Sequence, residues 1–414
     1  MRLYKQELKR LFLSARVKVI FLSAIVLSLL LALLPSEFSD ANVPDEQGNI
    51  HPLHGVEAIK YIEEISSSGN GEVTPDRLKE ALQTYQDLYY EYGVDPLESS
   101  DFPLDVYWEQ IRPISPLLRM IAIAYGTNMK DADLMSLHPD DMDRFYEACE
   151  LRLVNVMESD DMLKSADIIH KATRIFDNVK KPFVVSQGYT RDAFDYISLT
   201  IFMLVILSAV MTAPVFAERY ASGEDSVIRC TEFGRGKMVR TTLMAVFTIS
   251  SVMYFLGIGV HLLVPDMIFG KDTLKESVQV LYSVYSLPSL NLFELQIVLA
   301  LTGWFCCITV TFMATCISTC TQEASTAMVL SIIAVFLPTL IYAGVGTISW
   351  VLPLFPAASV GLNNNMLYSL LDLRFLQIGG NVLWYPMVLV IANIIEIPVF
   401  GCIANYAYSR HQVR

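Results

Sequence analysis

Apolar residues in this chain gather into six long runs separated by polar, turn-rich segments, at residues 19–34, 197–216, 241–264, 293–320, 326–348 and 382–406. A helix crossing a hydrocarbon core of about 30 Å needs roughly twenty such residues. The first run is short and gains length from Val17 and the snorkelling stem of Lys18. The pattern predicts an all-α membrane protein with six transmembrane helices.

Two segments stand apart from the runs. In residues 1–18, Tyr4, Leu8, Leu11, Phe12 and Ala15 share one helical face flanked by Lys5, Lys9, Arg10 and Arg16, which predicts an amphipathic helix lying at the membrane surface. The adjoining apolar run, 19–35, is read as a retained first span and not a cleaved signal peptide, because no small-x-small site comes after Leu34 and five more runs lie further along. Residues 36–192 predict a separate, mostly helical domain. Thr74 as N-cap, Pro75 at the first helical position and Gly93 as C-cap bound one amphipathic helix, and further helical patterns cover 105–125, 140–157 and 161–179.

Composition agrees with the bilayer as solvent: of 414 residues, 53% are hydrophobic and only 18% charged, and the mean hydropathy is +0.42. The net charge is −13, yet 36–192 alone holds 30 acidic against 14 basic residues, a balance of −16. A domain so acidic excludes nucleic acid as a partner. Only Cys149 of the seven cysteines lies in it, so packing and not an internal disulfide must stabilise it. Cys306, Cys307, Cys316, Cys320 and Cys402 fall in or at the ends of apolar runs and read as small apolar fillers.

Lys and Arg orient the spans. Residues 1–18 hold Arg2, Lys5, Lys9, Arg10, Arg16 and Lys18 against the single acid Glu7. The loop between the second and third runs holds Arg219, Arg229, Arg235, Lys237 and Arg240, and the end holds Arg410 and Arg414. Both termini are therefore expected in the cytoplasm of a multi-pass cell-membrane protein, with 36–192 extracytoplasmic. On that topology an impermeant thiol reagent reaches Cys149 from outside and Cys230 only after lysis.

Within the loop, Ser222 and Asp225 form an S-x-x-D capping box and Gly234 is placed as a C-cap, predicting a helix of about three turns. A short charged helix held between two spans suits docking on a partner; a solvated connector is the plain alternative. Here the chain resembles the type-2 ABC exporter permeases, in its amphipathic N-terminal helix, its six spans and a coupling helix between spans two and three introduced by an acid and a glycine. Glu218, Gly223, Thr231, Gly234 and Arg235 carry the match, and Thr231-Glu232 stands where many such permeases have a small residue followed by proline. The resemblance implies that a separate ABC ATPase subunit docks on 218–237, Glu232 included, and that the permease works as a dimer with a second copy or a paralogue. It also implies that ATP and Mg sit on the partner subunit, with no cofactor in this chain. The prolines Pro353 and Pro356 and the asparagines from Asn363 to Asn365 interrupt segment 349–378, predicting a short re-entrant or interfacial helical hairpin that the resemblance places at the outer gate.

No phosphate-binding loop exists: Gly234-Arg235-Gly236-Lys237-Met238 lacks the earlier glycine and the Ser or Thr after lysine. ATP hydrolysis by this chain is not expected. Glu396 inside the sixth run costs roughly 2.5–3.5 kcal/mol if ionised there, so it should face the bundle interior or a wet cavity. Asn393 one turn earlier makes the pair a candidate substrate pathway, against a structural polar contact between helices as the plain reading. Pro338, Pro386 and Pro398 invite kinks. His51 and His54 read as loop residues and not as a metal site. Two other functions compete: a sensor or scaffold binding an external ligand through the acidic domain, and an intramembrane enzyme, for which no paired catalytic groups are found.

Overall fold

The computed structural model describes residues 2–44, 50–127, 130–231, 234, 236–345 and 351–410. Six of its helices are long and apolar enough to cross a membrane. Spans 1 to 6 are Ala15–Glu37, Arg191–Thr212, Gly236–Ile268, Leu292–Cys320, Ala324–Val345 and Tyr385–Arg410. All six predicted runs are helical over most of their length, and most of the helices extend past them because polar caps set helix ends where hydropathy cannot. At span 4, Asn291 and Glu294 cap reciprocally, the side chain of each accepting from the backbone N–H of the other.

Spans 2 and 4 form the centre, with 72% and 61% of their apolar windows buried, against 22% and 17% for spans 5 and 6. Small residues allow the close central packing. A Cβ on Gly303 of span 4 would lie 2.3 Å from the Tyr254 hydroxyl of span 3. Spans 5 and 6 turn Leu330, Ile333, Leu340, Ile391, Ile395 and Val399 outward.

The N-terminal helix, Arg2–Leu13, stops one residue before Ser14, whose hydroxyl accepts from the Val17 N–H and caps span 1. Part of its predicted apolar face packs on span 3: Leu11 is buried, Tyr4 and Leu8 lie against the core, and the Tyr4 hydroxyl is 2.9 Å from Thr248 Oγ1, whereas Phe12 is 50% exposed and Ala15 belongs to span 1.

At the opposite end of the bundle sits the helical domain, built on Gly55–Ser66, Pro75–Tyr92, Arg112–Ala124, Phe145–Ser159 and Ala166–Phe176. Thr74 accepts from the Arg77 N–H, and Gly93 ends that helix at φ 70°, as the sequence predicts. The helix expected over 105–125 is interrupted by a wide turn at Tyr107–Ile111 just before Pro113, and that expected over 140–157 begins with a tighter 3-10 turn, Pro139–Arg144. The core of Leu78, Leu82, Leu118, Ile121, Phe145 and Phe176 also takes in Val280, Val284 and Leu287 from between spans 3 and 4. The boundary 36–192 therefore misses part of the domain, because a few apolar positions in a short connector carry no periodicity.

Among the described residues, three antiparallel strand pairs complete the fold. Phe375–Ile378 pairs with Asn381–Trp384 around Gly379 and Gly380, both at positive φ, a turn that only such residues make readily. This hairpin takes residues 382–384, which hydropathy assigns to the sixth run, and leaves Pro386 in the first turn of span 6, where it causes no kink. Segment 349–378 is partly helical as predicted, with Leu352–Leu354 and Met366–Leu371, but ends in this hairpin; residues 349 and 350 lie outside the described residues.

Candidate functional site

The loop between spans 2 and 3 is two short helices, Ala217–Ser222 and Glu224–Arg229, and not the single helix of three turns that the capping box predicts. Gly223 at φ 71° separates them, and the Ser222 hydroxyl donates back to the Arg219 carbonyl in place of capping the second short helix. Gly234 is not a C-cap, since the second helix closes at Cys230; it instead passes so near the Ile228 carbonyl that a Cβ would lie 1.7 Å from the oxygen. Thr231 donates to that same carbonyl at 2.7 Å. Glu232 and Arg235 lie outside the described residues.

Five elements hold this loop. Ser318 of span 4 accepts from the backbone N–H groups of Phe216 and Ala217 at 3.0 and 3.1 Å, supplying an acceptor for the start of the first short helix. Arg219, 1% exposed, pairs with Glu7 of the N-terminal helix, 4% exposed, and donates to Thr242 of span 3 at 3.2 Å. Arg16 at the start of span 1 pairs with Glu218. In the second short helix, buried Asp225 accepts from Arg229 Nε at 2.5 Å and from the Tyr408 hydroxyl of span 6 at 2.5 Å, while Arg229 donates to the Tyr408 carbonyl and lies 4.3 Å over its ring. Opposite these anchors, Ser222, Gly223, Glu224, Ser226 and Val227 face solvent, Val227 at 70% exposure.

The loop thus has buried charge pairs at its base and an exposed tip that is polar apart from Val227. Of the anchoring residues, the sequence singles out Glu218, though as a contact for an ATPase and not as a partner of Arg16, and it gives no hint of the roles of Arg219, Asp225, Arg229 and Tyr408. One signal was present: Glu7 is the lone acid on a basic helix.

The other predicted pair separates. Asn393 is buried and structural, donating to Ser359 at 3.2 Å and to the Leu389 carbonyl, while its own carbonyl accepts from Thr309 of span 4. Glu396 is half-buried and its Oε2 has no hydrogen-bond partner among the described residues. No hydrogen bond joins the two. His54 Nδ1 lies 2.6 Å from Asp40 on the domain surface, and among the described residues no group of three or more His, Cys, Asp or Glu side chains is placed to hold a metal. No family model, no curated protein and no solved structure matches this chain.

Proposed function

We propose that this chain is the membrane permease subunit of an ABC exporter, moving a substrate across the cell membrane with ATP hydrolysed on a separate ATPase subunit. The observation that carries the reading is the loop between spans 2 and 3: exposed at Ser222, Gly223, Glu224, Ser226 and Val227, and bound at its base to other spans and to the N-terminal helix. A solvated connector has no use for two buried ion pairs, each of which incurs a desolvation cost, whereas a lever needs rigidity between its handle and the parts it moves. On this reading the loop and both termini lie in the cytoplasm and the helical domain outside. A second copy or a paralogue covers part of the outward apolar faces, and Glu396 with its unpartnered oxygen lies along the substrate path.

Purification of the full chain from its host in mild detergent tests the proposal. A nucleotide-binding subunit is expected to co-purify, with ATP hydrolysis in the sample, and Val227→Glu should lower its recovery at least tenfold while leaving the permease folded. A permease that purifies alone, or a Val227→Glu variant that keeps its full complement of ATPase, overturns the reading.

A further inference from the structure

At the seam between the helical domain and the segment joining spans 3 and 4 lies a cavity of about 730 Å³, the size of an ordinary small-ligand pocket. Its wall carries two arginines, Arg112 and Arg119. Arg112 is positioned by Gln187, whose side-chain oxygen accepts from Nη1 at 2.9 Å and whose amide donates to the Pro113 carbonyl at 2.7 Å, and by Ser115 at 3.1 Å. Arg119 is held through Nη2 by the Val280 and Leu281 carbonyls. A guanidinium has five N–H donors. Nη1 of Arg112 and Nη2 of Arg119 are used, so three donors on each are left without a protein acceptor among the described residues.

Neither arginine has a carboxylate at ion-pair distance among the described residues. The acid nearest in effect, Glu276, lines the same cavity at 4% exposure, and its burial, outweighing the pull of both arginines, pushes its pKa up to about 8. Half-buried Arg112 and exposed Arg119, with no carboxylate at ion-pair distance among the described residues, offer free donors on the cavity wall to an anion from outside. The exposed members of the same wall, Glu98, Asp131 and Asp133, are acidic and repel a free polyanion. One ligand satisfies both sets: a molecule with a carboxylate at one end and a cationic group at the other.

We propose that this cavity binds a short peptide or amino acid, its free α-carboxylate bridging Arg112 and Arg119 and its ammonium or basic side chain facing Asp131 and Asp133. The inference does not depend on the exporter reading, because it concerns the domain alone and holds equally for a receptor.

The test uses the full chain in detergent and a pool of two- to six-residue tryptic peptides, each ending in a free carboxylate after Lys or Arg, beside the same pool amidated at its C-termini. Peptides retained after gel filtration are counted by mass spectrometry. The free-acid pool should be retained at least tenfold over the amidated pool, and Arg119→Gln should lose that excess. Asp131→Asn, at an exposed position on the cavity wall, should lower retention about threefold. Equal retention of the two pools, no retention, undiminished binding by both variants, or displacement of the peptides by equimolar inorganic phosphate would overturn the proposal.

Discussion

Glu7→Gln isolates the strongest joint in the loop's base. It leaves Arg219 charged and 1% exposed, with Thr242 at 3.2 Å and the Phe216 ring at 5.6 Å but no carboxylate partner among the described residues. Stranding a buried charge costs about 3–5 kcal/mol, and glutamine restores a neutral acceptor, so the lower figure, about 3 kcal/mol, applies. At 1.36 kcal/mol per tenfold this is roughly 150-fold in the opening equilibrium. The reverse variant, Arg219→Gln, is milder, because Glu7 keeps Arg10 at 2.8 Å on its solvent side; about 1–2 kcal/mol is expected. Hydrogen exchange on the full chain in lipid nanodiscs, followed in peptides covering 2–13 and 217–222, reads both numbers, and the double variant should recover about 2 kcal/mol relative to the sum. Less than fivefold faster exchange in Glu7→Gln, a larger effect from Arg219→Gln, or strict additivity would refute the account of the joint.

Tyr408→Phe removes the hydroxyl that donates to buried Asp225 at 2.5 Å and should loosen the second short helix by about 1–3 kcal/mol, seen as faster exchange over 224–229 with that over 2–13 unchanged. Glu276 binds its proton more tightly folded than unfolded, since its pKa rises from an ordinary 4.5 to about 8. The stability it confers is therefore present at acid pH and is lost as pH rises from about 4.5 through 8, a change on the order of 5 kcal/mol. Glu276→Gln should flatten that decline in a melting-temperature series from pH 5 to 9, and an unaltered slope would remove the buried acid as its cause. Cys149 is wholly buried and burial pushes its thiol pKa up, so it cannot report topology as the sequence suggests. Tyr90→Cys, at a position 76% exposed, should be labelled by an impermeant maleimide on intact cells, and exposed Cys230 only after lysis; labelling in the opposite order would reverse the orientation.

The amino-acid order alone determined the elements whose cause is local. Six apolar runs become six helices because a bilayer-length stretch with few charges has no other way to satisfy its backbone, and Thr74 to Gly93 becomes one capped helix because its end signals lie within a few residues. The loop's break at Gly223 defeated the capping-box signal, since Asp225 is recruited by Arg229 and Tyr408, the latter 183 residues away in sequence. Tertiary structure decided which charges meet. Glu7 and Arg219 are 212 residues apart, Arg112 and Glu276 share a cavity formed when a connector between spans joins the domain core, and Asn393 turns out to be a tie between helices. Hydrophobic periodicity records how far a residue lies from water along its own helix, and holds no information on which distant polar group will be waiting there.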